Sequence, residues 1–247
     1  MKLVVGLGNP GREYERTRHN AGWLALDVLA SRHAAGAIAT SKFNASILDT
    51  RIDGEKVLLL KPLTFMNRSG QPVAEALAFY KLDPTEDLIV LVDEVALPVG
   101  HVRVRASGGT GGHNGLADLD RALGGRDFPR VRIGVGAVPD RIVKADWVLS
   151  RFMTEEHADA DRGFALAADA AQACLAQGVP AAMNSFNKKL SPPKPDKPAE
   201  PSKPAEPAPS AEPAPGDATR PDSNAPINEP KQTQSTRAAP GPNGETT

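Results

Sequence analysis

Leu88-Ile89-Val90-Leu91-Val92 runs straight into Asp93 and Glu94, whereas His101-Val102-Arg103-Val104-Arg105 alternates apolar with basic residues. That contrast decides the fold. A strand with one wet face alternates; an unbroken apolar run of this length is expected of a strand covered on both faces. Leu3-Val4-Val5 and Val57-Leu58-Leu59-Leu60 are unbroken in the same way, and RVRIGV at 130–135 alternates like 101–105. The two alternating strands are therefore expected to carry one solvated, cationic face. Helix patterns separate the strands. Trp23, Leu26 and Ala30 recur at helical spacing, as do Val73, Leu77 and Tyr80, and Leu116, Leu119 and Leu123. Pro72 sits early enough in its helix to be harmless, and an Ala-rich helix is expected from Thr154 to Gly178. Strands alternating with helices predict a single-domain, three-layer α/β/α sandwich around a twisted mixed sheet, with function on the loops beyond the strand ends.

Composition places the limits of that domain. The chain has 247 residues, yet no aromatic side chain lies beyond Phe186, and 15 of its 23 prolines fall between Pro192 and Pro242. KPAEP repeats at 197–201 and 203–207, AEPAP at 205–209 and 211–215. Such a segment has too little to bury against its ordering entropy, so residues 191–247 are expected to form a disordered Pro/Ala/Glu/Lys-rich tail and residues 1–190 the folded domain. Residues 1–190 hold 23 basic and 22 acidic groups. Any contact with nucleic acid must then come from a local basic patch rather than from overall charge. The only cysteine, Cys174, excludes an internal disulfide and a cysteine-rich zinc site, and reads as a small buried helix residue. No apolar stretch is long enough to span a bilayer, and MKLVVGLGNP breaks too early for a signal peptide. A soluble, cytoplasmic protein is expected.

The first strand leads into Gly6-Leu7-Gly8-Asn9-Pro10-Gly11, which matches the dinucleotide fingerprint G-x-G-x-x-G. The context does not match: a polar run follows Gly11, and the acidic candidate Asp27 falls inside a helix instead of at a second strand end. A second cluster, Gly108-Gly109-Thr110-Gly111-Gly112-His113-Asn114-Gly115, lacks the Lys-Ser/Thr of a P-loop but brings backbone N–H groups to a helix start. Phe65-Met66-Asn67-Arg68-Ser69-Gly70 follows one apolar strand and Asp93-Glu94 ends another. Read singly, Met66 is core packing, Asn20 and Asn67 are caps, and His113 is a loop histidine. Read together, Asn9, His19, Asn67, Asp93 and Asn114 can converge on one rim of the sheet, as one imidazole base, one carboxylate and several neutral amides. There is no G-x-S-x-G elbow, and no His/Asp/Glu cluster has the spacing of a metal site.

GLGNPGREYERTRHNAGW (6–23), KPLTFMNRSG (61–70), DEVALPVGHVRVR (93–105), GGTGGHNGL (108–116) and RVRIGVG (130–136) together resemble bacterial-type peptidyl-tRNA hydrolases, over about residues 1–187. The resemblance implies a mostly monomeric enzyme, with no metal or organic cofactor. It would hydrolyse the ester between peptide and tRNA, releasing free tRNA and peptide. His19 matches the family's catalytic base and Asp93 the carboxylate that orients it. Asn9, Asn67 and Asn114 match amides that hold the peptide main chain, the 3′ end or the water, and Met66 lines the same cleft. Tyr14 matches a tRNA-site aromatic and His113 a residue that handles the 3′ acceptor end, and Arg105 and Arg132 match basic residues that grip tRNA phosphate. Leu63, Ala106-Ser107, Thr110 and Ala137 depart from the family's usual residues.

These matches imply a water deprotonated by His19, with Asp93 fixing the tautomer and stabilising the imidazolium. Asn114 and backbone N–H groups of the glycine loop would serve the oxyanion. Arg103, Arg105, Arg130 and Arg132, with Lys144 and Arg141, would form a cationic strip for the acceptor stem. Two alternatives stay open at this point: a non-catalytic RNA-binding module on the same fold, and a nicotinamide-dependent oxidoreductase.

Overall fold

The computed structural model describes residues 1–187. The tail expected over 191–247 lies outside the described residues. A seven-stranded mixed sheet has the order β2-β3-β4-β1-β5-β7-β6. The strands are β1 (Lys2–Gly6), β2 (Thr40–Lys42), β3 (Ala45–Ile52), β4 (Glu55–Pro62), β5 (Leu88–Glu94), β6 (Val102–Arg105) and β7 (Arg130–Gly134). β4, β1, β5 and β7 are mutually parallel, flanked by antiparallel β3 on one side and β6 on the other. The three unbroken apolar runs are thus three neighbouring central strands.

Their lack of alternation has the expected cause. Val4, Val57, Leu59, Ile89 and Leu91 point into one core, with α1 (Ala21–His33) and α5 (His157–Gln177). Leu3, Val5, Leu58, Leu60, Leu88, Val90 and Val92 point into the other, with α2 (Gly70–Tyr80) and α3 (Asn114–Leu123). The result is the three-layer sandwich. Burying one such aliphatic side chain is worth about 1.5–3 kcal/mol, so the double-faced strands dominate the stability.

Several details differ from the sequence reading. The hairpin of β2 and β3 was not foreseen, because its turn at Phe43 and Asn44 adopts left-handed geometry without glycine. Asp53-Gly54, the turn between β3 and β4, is a standard hairpin signal that would have found β3. The helix expected from Thr154 begins with a 3-10 turn at Thr154–Glu156 and ends at Gly178, beyond which α6 (Val179–Phe186) continues. A short helix, α4 (Lys144–Leu149), was also missed. In α1 the buried stripe is Ala21, Gly22, Ala25, Leu26 and Leu29, so Trp23 and Ala30 lie at its margin. Cys174 is buried in α5, and burial pushes its thiol up to about 12, which leaves it protonated and inert. Among the described residues, no helix is long and apolar enough to cross a membrane.

The first glycine motif serves close packing. A Cβ on Gly6 would stand 2.5 Å from the Gly22 carbonyl oxygen, and one on Gly22 only 2.3 Å from that of Leu91. β1, β5 and the start of α1 therefore meet backbone to backbone. A methyl group at Gly22 should cost about 1–3 kcal/mol through forced displacement, whereas Gly125→Ala, with open space around it, should stay within about 0.5 kcal/mol of the parent. Urea denaturation of both variants measures the difference; equal midpoints would refute the packing account.

Candidate active site

The parallel strands β1, β4 and β5 deliver their carboxyl ends to one edge of the sheet. β5 carries seven residues of which six are buried, and the last buried one is Asp93. A carboxylate in that position is costly unless donors meet it. Two imidazoles do. His19 Nδ1 lies 3.0 Å from both carboxylate oxygens, and His113 Nε2 lies 2.8 Å from Oδ1. Burial by itself would raise the Asp93 carboxyl. The N–H groups that His113 and His19 direct at it outweigh that cost and hold the group well below the usual carboxylate range.

An ionised carboxylate only accepts, so both ring nitrogens facing it carry protons. His113 Nδ1 is in turn the acceptor for the backbone N–H groups of Gly115 and Leu116, at 3.1 and 3.2 Å. His113 is thereby fixed as the neutral Nε2–H tautomer and caps α3 with its ring. His19, with its proton on Nδ1, keeps the Nε2 lone pair free.

His19 opens on a cleft of about 360 Å³ lined also by Asn9, Tyr14, Phe65, Met66, Asn67 and Asn114, with Ala145, Val148 and Leu149 of α4 as one wall. The expected residues Asn9, His19, Asn67, Asn114, Met66 and Tyr14 thus come together. Asn9 is held on three sides. The Asn20 side chain brackets its backbone, accepting from its N–H at 2.8 Å and donating to its carbonyl at 3.0 Å, and Asn9 Oδ1 accepts from Met66 N–H at 2.7 Å. With that oxygen taken, the Asn9 amide presents its NH₂ to the cleft. Asn20, read as a helix cap, makes no capping bond. The close approach of Met66 explains Gly115, where a Cβ would meet the Met66 sulfur at 2.5 Å.

Other expectations need correction. His113 does not line the cleft; it lies behind Asp93, 8 % exposed. The N–H groups of Gly115 and Leu116 are spent on His113, so what the start of α3 offers an oxyanion is the N–H and side chain of Asn114. The solvated cationic face is only partly real. Arg103 pairs across from Arg132 and Arg105 from Arg130, but Arg130 is 1 % exposed. It donates to the carbonyls of Gly108, Arg126 and Phe128, and burial together with the like charge of Arg132 pushes it down to about 10. Arg132 is engaged by Glu94 at 2.5 Å and by the Gly109 carbonyl at 2.8 Å. Lys144 donates to Gly111 O at 2.9 Å. Arg105 is exposed, with no side-chain hydrogen bond or ion pair among the described residues.

His19, Asp93 and His113 also constitute a trio of possible metal ligands, with their ligand atoms within 4.8 Å of one another. The sequence offered no cluster at metal spacing; the fold builds one from residues far apart. Each nitrogen facing Asp93 is committed to an N–H···O contact, so its lone pair is not available to a cation.

The peptidyl-tRNA hydrolase family model matches residues 3–194. The chain belongs to that family. Peptidyl-tRNA hydrolase from Brevibacillus brevis is 45% identical over 188 residues, 76% of this chain and 98% of that protein. The one from Nocardia farcinica is 47% identical over 185 residues, 75% of this chain and 95% of that protein. The crystal structure of the Acinetobacter baumannii peptidyl-tRNA hydrolase covers 76% of this chain and 94% of its own, at 36% identity and a TM-score of 0.70. These matches set aside the nicotinamide-dependent alternative.

The depressed Asp93 carboxyl ties stability to pH in one direction. A carboxyl lowered on folding stabilises in full above the ordinary value of about 3.9, and that contribution is lost as pH falls below it. The stability gap between parent and Asp93→Asn should therefore be widest near neutrality and shrink as pH drops from about 5 to about 2.5. Denaturant titrations across that range measure it, and a gap that widens on acidification would contradict the assignment.

Proposed function

We propose that this protein hydrolyses the ester joining peptide to the 3′ end of tRNA in peptidyl-tRNA, acting as a cytoplasmic monomer through a water activated by His19. The observation that carries the reading is the Asp93–His19 pair, whose free Nε2 belongs to a cleft furnished with amides and no second nucleophile. Asp93 holds the imidazole in one tautomer. Nε2 takes a proton from water as its oxygen attacks the ester carbonyl, and the imidazolium that forms is stabilised by the carboxylate. The same proton then passes to the departing 3′ oxygen. Side-chain NH₂ groups of Asn114, Asn9 and Asn67 are the neutral donors for the oxyanion and the peptide main chain. An ester carbonyl is electrophilic enough for this without a covalent intermediate. A binding-only module is the weaker reading, since it gives no use to a buried carboxylate aligned on an imidazole.

Phosphate recognition falls to Arg105. Level with Val90, it stands three residues back from Asp93 along the strands, roughly 10 Å at strand spacing, and two strands across, and its guanidinium is uncommitted. Arg132 has two tasks, since it also holds the Gly109 carbonyl.

His19→Ala should lower turnover by about 10²–10⁴ while tRNA binding largely survives. Release of labelled peptide from peptidyl-tRNA, assayed in excess chelator, checks both the base and the metal-independent mechanism; parent-level release by His19→Ala would remove the mechanism. Arg105→Ala should weaken binding and reduce its salt slope by about one charge, with little effect on a minimal peptide ester. Arg132→Ala should in addition slow the minimal substrate. Identical behaviour of the two variants on both substrates would refute this division.

A further inference from the structure

The residue before the proposed base is the most completely enclosed charge in the described structure. The Arg18 side chain has no exposure at all. Its guanidinium forms a two-pronged pair with Glu156, at 2.6 and 3.2 Å, and donates to the Val135 carbonyl at 2.8 Å. It stacks 3.8 Å from the centre of the Trp147 ring, with Phe152 at 4.8 Å. Its Nε reaches Ser150 Oγ at 3.4 Å, and its backbone N–H donates to the Ser150 carbonyl at 3.0 Å. Thr17 beside it bridges to Arg151.

These partners belong to one neighbourhood. Trp147 lies in α4, the helix whose Ala145, Val148 and Leu149 form a wall of the cleft, and Ser150 follows it directly. Trp147 is anchored by its own indole N–H to the Gly136 carbonyl at 3.1 Å. Arg18 and His19 share a single 3-10 turn, Arg18–Asn20. A rotation of that turn would move the imidazole, and a shift of α4 would change the cleft; one planar cation is bonded to both.

We propose that Arg18 is a positioning residue that locks α4 and the His19 turn into a single unit, so that one guanidinium sets the pose of the base and the wall against which the peptide lies. The proposal rests on the reading of His19 as the base. Its chemistry requires arginine: the flat fork meets the carboxylate with two parallel bonds while its face stacks on indole, and an ammonium can do neither. Glu156 balances the buried charge from the other side. Burial would raise its carboxyl, but the Arg18 hydrogen bond and the Met153 N–H hold it lowered.

The test uses the full chain with Arg18→Met, Arg18→Lys and Glu156→Gln. Three quantities are read: kcat and KM for peptidyl-tRNA per folded molecule, and the ¹⁵N imidazole spectrum of His19. Arg18→Met should lower kcat on the order of 10²-fold, as expected for displacement of a reacting group by about 1 Å. Arg18→Lys should recover only a small part, and KM should move much less than kcat. Glu156→Gln keeps an acceptor for the fork and should lower kcat about three- to tenfold, in line with the smaller worth of a neutral partner. In each variant the single Nδ1–H tautomer of His19 should give way to a mixture. A role in stability alone would lower the melting temperature while leaving kcat and the spectrum as in the parent, and that result overturns the proposal. If the Arg18 variants fail to fold, Glu156→Gln decides, since that side chain is partly exposed. A parent chain that hydrolyses nothing would sink the functional reading instead; the His19 spectrum would still decide this one.

Discussion

A carboxylate at the end of a buried strand constrains everything around it. Asp93 closes the most apolar strand of the sheet, and an ion there is tolerated only with donors on the exposed lone pairs. Two histidines meet that need, and in doing so lose their freedom of tautomer. His113 is turned into a donor on one nitrogen and a helix cap on the other. His19 is left with one lone pair facing outward. The arrangement that stabilises the ion is therefore also the one that prepares a base, and neither part of it can be altered without disturbing the other.

That preparation depends on backbones coming unusually close. Gly6 and Gly22 let α1 begin against the ends of β1 and β5, which places the turn carrying His19 directly over Asp93. Asn20 then ties the same turn to Asn9, and Asn9 ties it to Met66. Three segments distant in sequence become one rigid rim. Such a rim keeps its donors in place without reorganising when charge develops, which is where most electrostatic stabilisation originates.

How much of this could be read beforehand depended on range. The unbroken runs at 3–5, 57–60 and 88–92 named the central strands because double-sided burial is a local property of each run. The cleft residues were legible for a related reason: loops after parallel strands must share an edge. What stayed hidden was the partner of each side chain. Arg18 looks like any arginine in a polar run until Trp147 and Glu156, well over a hundred positions away, enclose it. Asn20 sits where a cap belongs, yet it holds Asn9. The His113–Asp93 contact joins a strand end to a glycine loop, and no spacing rule connects the two.

The basic residues of β6 and β7 show why charge counting misleads. Four arginines on one face suggested a continuous surface for phosphate. In the structure the glycine-rich segment doubles back over β7, and its carbonyls at Gly108, Gly109 and Gly111 are met in order by Arg130, Arg132 and Lys144. A segment so rich in glycine pays a large entropy on ordering, and these cations offset part of it from beneath. Held there, the segment delivers His113 to Asp93 and Asn114 to the cleft. Arg130 and Arg132 thus work inward, on the loop that completes the site. A cation meets an outside anion most freely where the fold gives it no carbonyl or carboxylate of its own, and on these two strands Arg103 and Arg105 meet that condition, Arg105 being the more exposed.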